Sequence, residues 1–274
     1  MEKFTTNIQP PSGFSLGFKE LWEYRELFYF FTWRDIKVKY KQTYLGILWA
    51  LLQPLCMMVL FTYIFSKTWK IDTGTVVYPL FVLSGLILWN LFNSSVSHAG
   101  ESMIQNANII KKIYFPRLII PYSSVLVAFV DFVIAFIIFL LICIYFKQRV
   151  DISAIIYFPF GILITLLAAG GLGTFLAALN VKYRDFRYAQ PFLLQVLFFS
   201  SQAIYPLHSI ESSKLKYILA INPMNAAIEL FRVPITGTPP DILIIAIGIT
   251  STILLLIIGL FYFRKTEAYF ADLA

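Results

Sequence analysis

The sequence predicts an all-α membrane protein with six transmembrane helices, and three observations support this fold class. Hydrophobic residues make up 59% of the 274 residues and charged residues only 14%, whereas a soluble domain is about half apolar and a quarter charged. Six apolar stretches reach or approach the roughly 20 residues with which a helix crosses a bilayer. Lys and Arg concentrate at the ends of these stretches, as at cytoplasmic membrane edges, so the net charge of +7 does not indicate nucleic-acid binding.

Residues 1–43 are predicted to form a cytoplasmic segment that contains an amphipathic interfacial helix. Leu21, Tyr24, Phe28 and Phe31 recur at helical spacing with charged residues among them, which is typical of a helix lying in the membrane surface. The stretch TWRDIKVKYKQTYLGILWALLQPL, which begins at residue 32, then changes from basic and aromatic to apolar within a few residues. The least that this pattern predicts is a cytoplasmic anchor that leads into the first span.

Residues 44–274 form the predicted transmembrane domain. Its six expected spans are Leu45–Ser66, Tyr78–Val96, Ile119–Phe146, Ala154–Leu179, Pro191–Tyr205 and Ile242–Phe263. The fifth span is short, and the chain from Pro206 to Asp241 has apolar patches too short to cross a bilayer. Short re-entrant or periplasmic helices are therefore expected between spans five and six. The small residues of AAGGLGTFLAA in the fourth span allow close helix packing.

The distribution of Lys and Arg predicts that both termini lie in the cytoplasm. With the N-terminus inside, fifteen basic residues fall on inner segments and seven, including Arg232, on outer segments. Cytoplasmic loops carry an excess of basic residues in membrane proteins. The count therefore favours this orientation over its inverse.

The cytoplasmic loop between spans two and three, at residues 100–117, has an unusual pattern. In its stretch ESMIQNANIIKKIYFP, Met103, Ala107 and Ile110 share one helical face before Pro116 ends the segment. A solvated turn does not need so many apolar residues beside lysines. Two interpretations stay open: a short helix that presents a docking surface, or a helix that lies on the membrane.

Few groups inside the predicted spans carry chemistry. Asp131 is the only ionisable candidate; it either belongs to a polar pore or dimer contact, or is satisfied by a neighbouring helix or protonated. Asn90 and Asn93 either join helices by hydrogen bonds or line a polar pore. The two histidines are too few for a histidine metal cluster, and GGLGTF lacks the lysine of a phosphate loop. No catalytic residue, metal site or cofactor is expected on this chain.

Four motifs, in chain order, resemble those of ABC transporter permeases that export polysaccharides. This family of the type-2 permease superfamily includes the O-antigen, capsule and teichoic-acid exporters. WRDIKVKYKQTYLGILWALLQPL is similar to the family's motif where the chain first meets the membrane, and NANIIKKIYFPRLIIP to its coupling region. NVKYRDFRYAQPFLLQ is similar to its cytoplasmic turn before span five, and INPMNAAIELFR to its outer segment before span six. Within this family, the motifs most resemble those of O-antigen export permeases.

The resemblance implies a transport subunit rather than an enzyme, in the inner membrane of a bacterium. Members of the family work as a permease homodimer with two copies of a separate ATP-binding chain, which holds ATP and Mg²⁺. The implied substrate is a glycan linked to polyprenyl pyrophosphate, which passes from the cytoplasm to the outer face. Membrane lipids are further expected partners, and nucleic acid is not.

Carried onto this sequence, the resemblance assigns residues to three sites. The ATPase-coupling surface would comprise Gln105, Asn106, Asn108, Ile109, Lys111 and Lys112. The headgroup site, where cations can meet pyrophosphate, would comprise Arg34, Asp35, Lys37 and Tyr40. The channel would be lined by aromatic residues that stack on sugars, with candidates at Trp49, Phe61, Trp89, Phe92, Phe198, Phe199 and Tyr205.

Two other functions stay open at this point. A transporter subunit of the same architecture could export a drug or a lipid instead of a glycan. A secondary carrier or a membrane-embedded transferase belongs to a different class, and the lack of ionisable groups within the spans argues against it, because such proteins handle protons or substrates at that depth.

Overall fold

A computed structural model describes residues 18–41, 48–68, 76–267 and 270 of the chain. These residues fold into α-helices with one short 3-10 turn and contain no strand, so the all-α prediction is confirmed. The predicted boundary at 43/44 and the predicted start of the first span at Leu45 lie outside the described residues. The division into a cytoplasmic segment and a membrane domain therefore stays a prediction.

The helices follow one another with short connections. They are α1 (Phe18–Glu23), α2 (Arg25–Lys41), α3 (Leu48–Thr68), α4 (Tyr78–Gln105), α5 (Ala107–Ile110), α6 (Ile119–Tyr145), α7 (Ala154–Lys182), α8 (Phe186–Phe199), α9 (Ser213–Ala220), α10 (Pro223–Thr236) and α11 (Ile242–Glu267). Of the described helices, α4, α6, α7 and α11 are each long and apolar enough to cross a membrane. The chain is therefore a multi-pass membrane protein.

The number of crossings is four or five by length and composition among the described residues. The fifth candidate is the pair α9 and α10, which meet at 98°, where the sequence predicts short re-entrant helices. The apolar part of α3 covers only Leu51–Phe65, and α8 has 14 residues, fewer than the roughly 20 of a full crossing. Four of the six spans predicted from the sequence are thus matched by long apolar helices, and the bent pair is not one of the six. The remaining predicted crossings stay a prediction.

Two helices form the centre of the bundle. In the most apolar 18 residues of each helix, 78% of the residues of α4 and 72% of those of α7 are buried. The corresponding shares are 28% in α6 and 22% in α11. The glycines predicted to allow close packing lie where α7 meets its neighbours. A Cβ on Gly173 would lie 2.8 Å from Cβ of Ala99 in α4, and a Cβ on Gly259 of α11 would lie 2.1 Å from the carbonyl oxygen of Gly171. Larger residues would force these helices apart.

Polar side chains of α10 bind backbone carbonyl groups of α4 and of the chain that follows α8, and this set is called the carbonyl clamp below. Arg232 donates to the carbonyl oxygens of Gln202 at 2.7 Å and of Phe81 and Ala203 at 2.9 Å. Its guanidinium also lies 3.5 Å from the centre of the Phe81 ring. Arg232 is only 5% exposed, so it is not a surface cation. Arg232 should therefore not be counted among the basic residues of the outer segments when the orientation is assigned.

Candidate functional site

Helix α2 packs against the segment that follows α4. Phe31 is its buried residue, and the Phe31 ring lies 5.6 Å from that of Phe115. Both belong to an apolar cluster that includes Met103 and Ile110, two residues of the predicted coupling face. The face of α2 predicted to be amphipathic thus contacts protein at Phe31, while Trp33 on another face is exposed and available to the membrane surface.

A hydrogen bond joins the predicted headgroup site to the predicted coupling surface. Nη2 of Arg34 donates to Oδ1 of Asn106 at 2.8 Å, and Nε donates to Oδ1 of Asp35 at the same distance. The Asn106 amide nitrogen donates in turn to the carbonyl oxygen of Ser102 at 2.8 Å. Sequence reasoning placed these residues in two separate sites. The two predicted sites are therefore in direct contact.

The remaining coupling residues form a largely exposed surface. Gln105, Asn108, Lys111 and Lys112 are exposed, whereas Asn106 is buried and connects α4 to α5. Ile109 is half-buried against the apolar cluster around Phe31. The exposed residues stand beside two exposed apolar residues that the predicted site omitted, although they occur in the same motif: Ile113 and Tyr114.

The end of α2 reaches Asp131 of α6. Nζ of Lys39 forms an ion pair with one oxygen of Asp131, and the Tyr40 hydroxyl donates to the other. Of the alternatives left open for Asp131, a carboxylate satisfied by a neighbouring helix fits this geometry, and the neighbour is α2. Burial, followed by the hydrogen bond to Asp131, raises the pKa of Tyr40. The predicted headgroup site did not include Lys39. It did include Lys37, whose Nζ lies 5.2 Å from the centre of the Trp33 ring.

Two adjoining cavities run along one face of α4. Their volumes are about 460 Å³ and 340 Å³, and both are lined by Gln53, Asn90, Asn93 and Ser97. Together they form what is called the polar groove below, between α3, α4, α6 and α8. The α4 residues share a face because their spacing follows the helical period. Lys39, Tyr40 and Asp131 line one end of the groove, and Trp89, Gln195 and Phe198 line the other.

Three of the predicted channel aromatics line this groove. Trp49 belongs to its first cavity, and Trp89 and Phe198 to its second. The rings of Trp89 and Phe198 lie 5.2 Å apart. Trp49 is 59% exposed, so its ring is accessible from the groove.

The structure does not bring the other four channel candidates to the groove. Phe92 is fully buried in the core. Phe61 and Tyr205 are half-buried against that core, and Phe61 packs on the ring of Phe198 at 6.3 Å. Phe199 is exposed near the end of α8. A role for these residues in a channel stays a prediction.

The turn between α7 and α8 is fastened to α4 beside the groove, by residues that sequence reasoning did not single out. The Asn180 amide nitrogen donates to the carbonyl oxygen of Gly100 at 2.8 Å and to Oε1 of Gln190 at 3.1 Å. Gln190 donates to the carbonyl oxygen of Ser97 at 3.3 Å. A Cβ on Gly100 would lie 2.5 Å from Oε1 of Gln190. Both amides lie within the motif NVKYRDFRYAQPFLLQ, and this motif was the signal from which they could have been predicted.

The sequence matches the family described as ABC-2 type transporter over residues 26–236. This stretch holds all but the first residue of α2, the predicted coupling region at residues 100–117, the polar groove and the carbonyl clamp. The chain belongs to the ABC-2 type transporter family. The family predicted from the four motifs is therefore confirmed, and the chain is a transporter permease by family.

Similarity to individual ABC-2 proteins covers most of the chain. O-antigen export system permease protein RfbA of Myxococcus xanthus is 29% identical over 207 residues, 75% of this chain and 78% of the relative. RfbA of Klebsiella pneumoniae is 27% identical over 240 residues, 88% of this chain and 92% of the relative. Polysialic acid transport protein KpsM of Escherichia coli is 26% identical over 203 residues, 73% of this chain and 77% of the relative.

Proposed function

We propose that this chain is the membrane-spanning permease subunit of an ATP-driven exporter of lipid-linked polysaccharide. The substrate is O-antigen or a related surface glycan on polyprenyl pyrophosphate, moved from the cytoplasm across the bacterial inner membrane. The observation that carries the proposal is the similarity to two O-antigen export permeases over 75% and 88% of the chain. The polar groove, lined by amides and aromatic rings, supports a hydroxyl-rich cargo.

The proposal includes six crossings with both termini in the cytoplasm and a homodimer. Support for the dimer comes from the groove, whose polar amides lie beside two helices with exposed apolar residues, α3 and α8. Polar groups at membrane depth face protein or water rather than lipid. A second copy against α3 and α8 would shield the groove from lipid and enclose a shared path.

The energy for export would come from two copies of an ATP-binding chain, which would hold ATP and Mg²⁺. These chains would dock on the exposed coupling residues around Lys111 and Lys112. Their motion would reach α2 through the hydrogen bond between Asn106 and Arg34. Lys37, together with Arg34 in its ion pair with Asp35, would stand where α2 approaches the membrane, and a pyrophosphate headgroup pairs with such cations.

Deletion of the gene, followed by complementation, tests the proposal. Surface polysaccharide should disappear on deletion and return with the wild-type chain, and an ATP-binding protein should copurify with the tagged permease from mild detergent. Intact surface polysaccharide in the deletion strain would contradict the proposal. If that strain instead lost resistance to a drug or export of a lipid, the alternative cargo would replace the glycan.

A further inference from the structure

We infer that the polar groove binds a neutral glycosyl unit, the sugar next to the lipid carrier, and that Gln53, Asn90 and Asn93 are its hydrogen-bonding residues. This inference rests on the proposed function and adds a subsite and a substrate class to it. The groove begins at Lys39 and Asp131, where α2 meets α6. A sugar attached to a headgroup held beside α2 would be the first unit to reach the groove.

The amides in the groove have hydrogen-bonding capacity that the described part of the chain leaves unused. Asn90 and Asn93 lie within α4, which is long and apolar enough to cross a membrane. Within the described ranges, no side-chain hydrogen bond involves Gln53, Asn90 or Asn93. Asn90 and Asn93 are half-buried and Gln53 is exposed, so their amides are accessible from the groove. Polar groups at membrane depth face protein or a polar cavity rather than lipid. If these amides joined helices, each would have a hydrogen-bond partner on α3, α6 or α8. Because none has such a partner within the described ranges, the geometry favours a polar occupant in the groove.

The lining matches sugar hydroxyl groups in kind. Each Asn or Gln side chain both donates and accepts, as do the hydroxyls of Ser94 and Ser97, and a sugar hydroxyl does the same. Trp49 stands one helical turn before Gln53 on α3 and offers an accessible ring to the apolar face of a sugar. A lipid tail would leave these amides unpaired and is therefore a poor occupant.

The charges in the groove favour a neutral ligand over an acidic one. Lys39 is the only Lys or Arg among the described lining residues. Its Nζ is already paired with a carboxylate oxygen of Asp131. A uronic or sialic acid in the groove would therefore meet amides and hydroxyls but no cation free of a carboxylate, and burial of its charge would weaken binding.

The size of the groove is appropriate for this role. Its α4 lining runs from Leu86 to His98, and this separation of twelve residues corresponds to about 18 Å along a helix. The larger cavity, of about 460 Å³, falls within the range of roughly 300–1,000 Å³ that is typical of small-molecule sites. The groove can therefore enclose one glycosyl unit and leave room for the next.

Binding to the permease, copurified with its ATP-binding chain and placed in lipid nanodiscs, tests the inference. The probes are farnesyl pyrophosphate, the same lipid carrying one glucose, and the same lipid carrying one glucuronic acid. The wild-type complex should bind the glucosyl probe about tenfold or more tightly than the bare lipid, as two or more hydrogen bonds predict. The glucuronosyl probe should show no such gain. Equal binding of the two sugar probes would overturn the neutral-ligand assignment.

The variant Asn90→Leu/Asn93→Leu should lose most of the preference for the glucosyl probe, because it removes two of the three amides and leaves α2 unchanged. A preference for glucose that survives undiminished in this variant would overturn the inference. Ser94→Ala and Ser95→Ala provide a matched pair that is safe for folding: Ser94 lines the groove, whereas Ser95 is buried outside it. Only Ser94→Ala should reduce the glucose preference, and an equal reduction by both would count against the site.

The outcomes separate this inference from the proposed function. If the wild-type complex binds bare farnesyl pyrophosphate but gains nothing from glucose, the sugar site is wrong and the exporter is not contradicted. If it binds none of the probes and surface polysaccharide persists in the deletion strain, both are wrong.

Discussion

The carbonyl clamp and the polar groove are both polar regions in an apolar bundle, yet their side chains are used in opposite ways. In the clamp, Arg232 reaches three carbonyl oxygens, and Asn225 donates to the carbonyls of Ser200 and Leu219. In the groove, the amides of Asn90 and Asn93 have no such partner among the described residues. Buried polar groups that are fully paired stabilise a fold, whereas half-buried amides without such a partner, as at Asn90 and Asn93, can bind a ligand.

The largest effect is expected from breaking the clamp at Arg232. Arg232→Met keeps much of the volume but removes the Arg232 donors to the carbonyl oxygens of Gln202, Ala203 and Phe81, of which the last keeps the Ser84 hydroxyl as a donor. We expect a loss of about 3 kcal/mol or more in the free energy of unfolding, because each unsatisfied buried group costs about 1–3 kcal/mol. Thermal unfolding in detergent, followed by tryptophan fluorescence, measures it. Arg149→Met at an exposed site is the control, and equal melting temperatures for the two variants would refute the role of the clamp.

One substitution made in both regions sharpens the comparison. Asn225→Leu removes two bonds to carbonyls and the acceptor for the backbone N–H of Gln202, so it should cost about 2–3 kcal/mol of stability. Asn90→Leu removes a side chain that has no hydrogen bond within the described chain. The melting temperature of this variant should therefore equal or exceed that of the wild type. Export of surface polysaccharide should instead fall in the Asn90 variant. Destabilisation of similar size at both positions would mean that Asn90 is structural.

Much of the fold follows from sequence because apolar length alone defines α4, α6, α7 and α11. The ends of the helices were predicted less accurately than their positions. The span predicted to end at Val96 lies in a helix that continues to Gln105, because no Gly-Pro or turn sequence interrupts it. The environment of the aromatics was not predictable. Phe92 is fully buried, and Trp89, three residues before it, lines the groove. A helix that is apolar on most sides gives no periodic signal for the face that turns to a cavity.

The candidate site could be predicted as a set of motifs but not as an arrangement. The motifs contained Arg34 and Asn106, yet 72 residues separate this hydrogen-bonded pair, and a single tertiary contact leaves no mark in composition or periodicity. The same holds for Asn90 and Asn93. Whether an amide joins helices or lines a cavity depends on the partner that a neighbouring helix offers, which only the structure shows.

The pair of Lys39 and Asp131 lies between the two extremes, because it is satisfied but only partly buried. The side chains are 35% and 16% exposed, so solvent weakens the attraction. A double-mutant cycle with Lys39→Gln and Asp131→Asn should give a coupling of about 1 kcal/mol in the free energy of unfolding. The single variants should keep the fold and copurify with the ATP-binding chain. A coupling near zero would show that the pair does not hold α2 against α6.

The smallest effect is expected at a second polar pair that is satisfied and partly exposed. Nζ of Lys216 in α9 lies 2.8 Å from Oδ2 of Asp241, just before α11. The hydrogen bond from Lys216 lowers the pKa of Asp241 below its ordinary value of 3.8. A lowered pKa in the folded state stabilises the protein above the ordinary pKa, and this contribution is lost as the pH falls through the lowered value. Because the pair is partly exposed, the contribution should be below about 1 kcal/mol.

Asp241→Asn isolates this contribution, because Asn can still accept the hydrogen bond that Oδ1 receives from the backbone N–H of Leu243. At pH 7 the variant should melt slightly below the wild type. The difference should stay constant while the pH is well above 3.8 and disappear on acidification below the lowered pKa, where the carboxyl is protonated in both the folded and the unfolded protein. A difference that persists at low pH would assign the effect to the helix cap rather than to the charge. Across the clamp, the groove and this pair, the loss of stability on substitution would then increase with both the number of hydrogen bonds and the burial of the polar group.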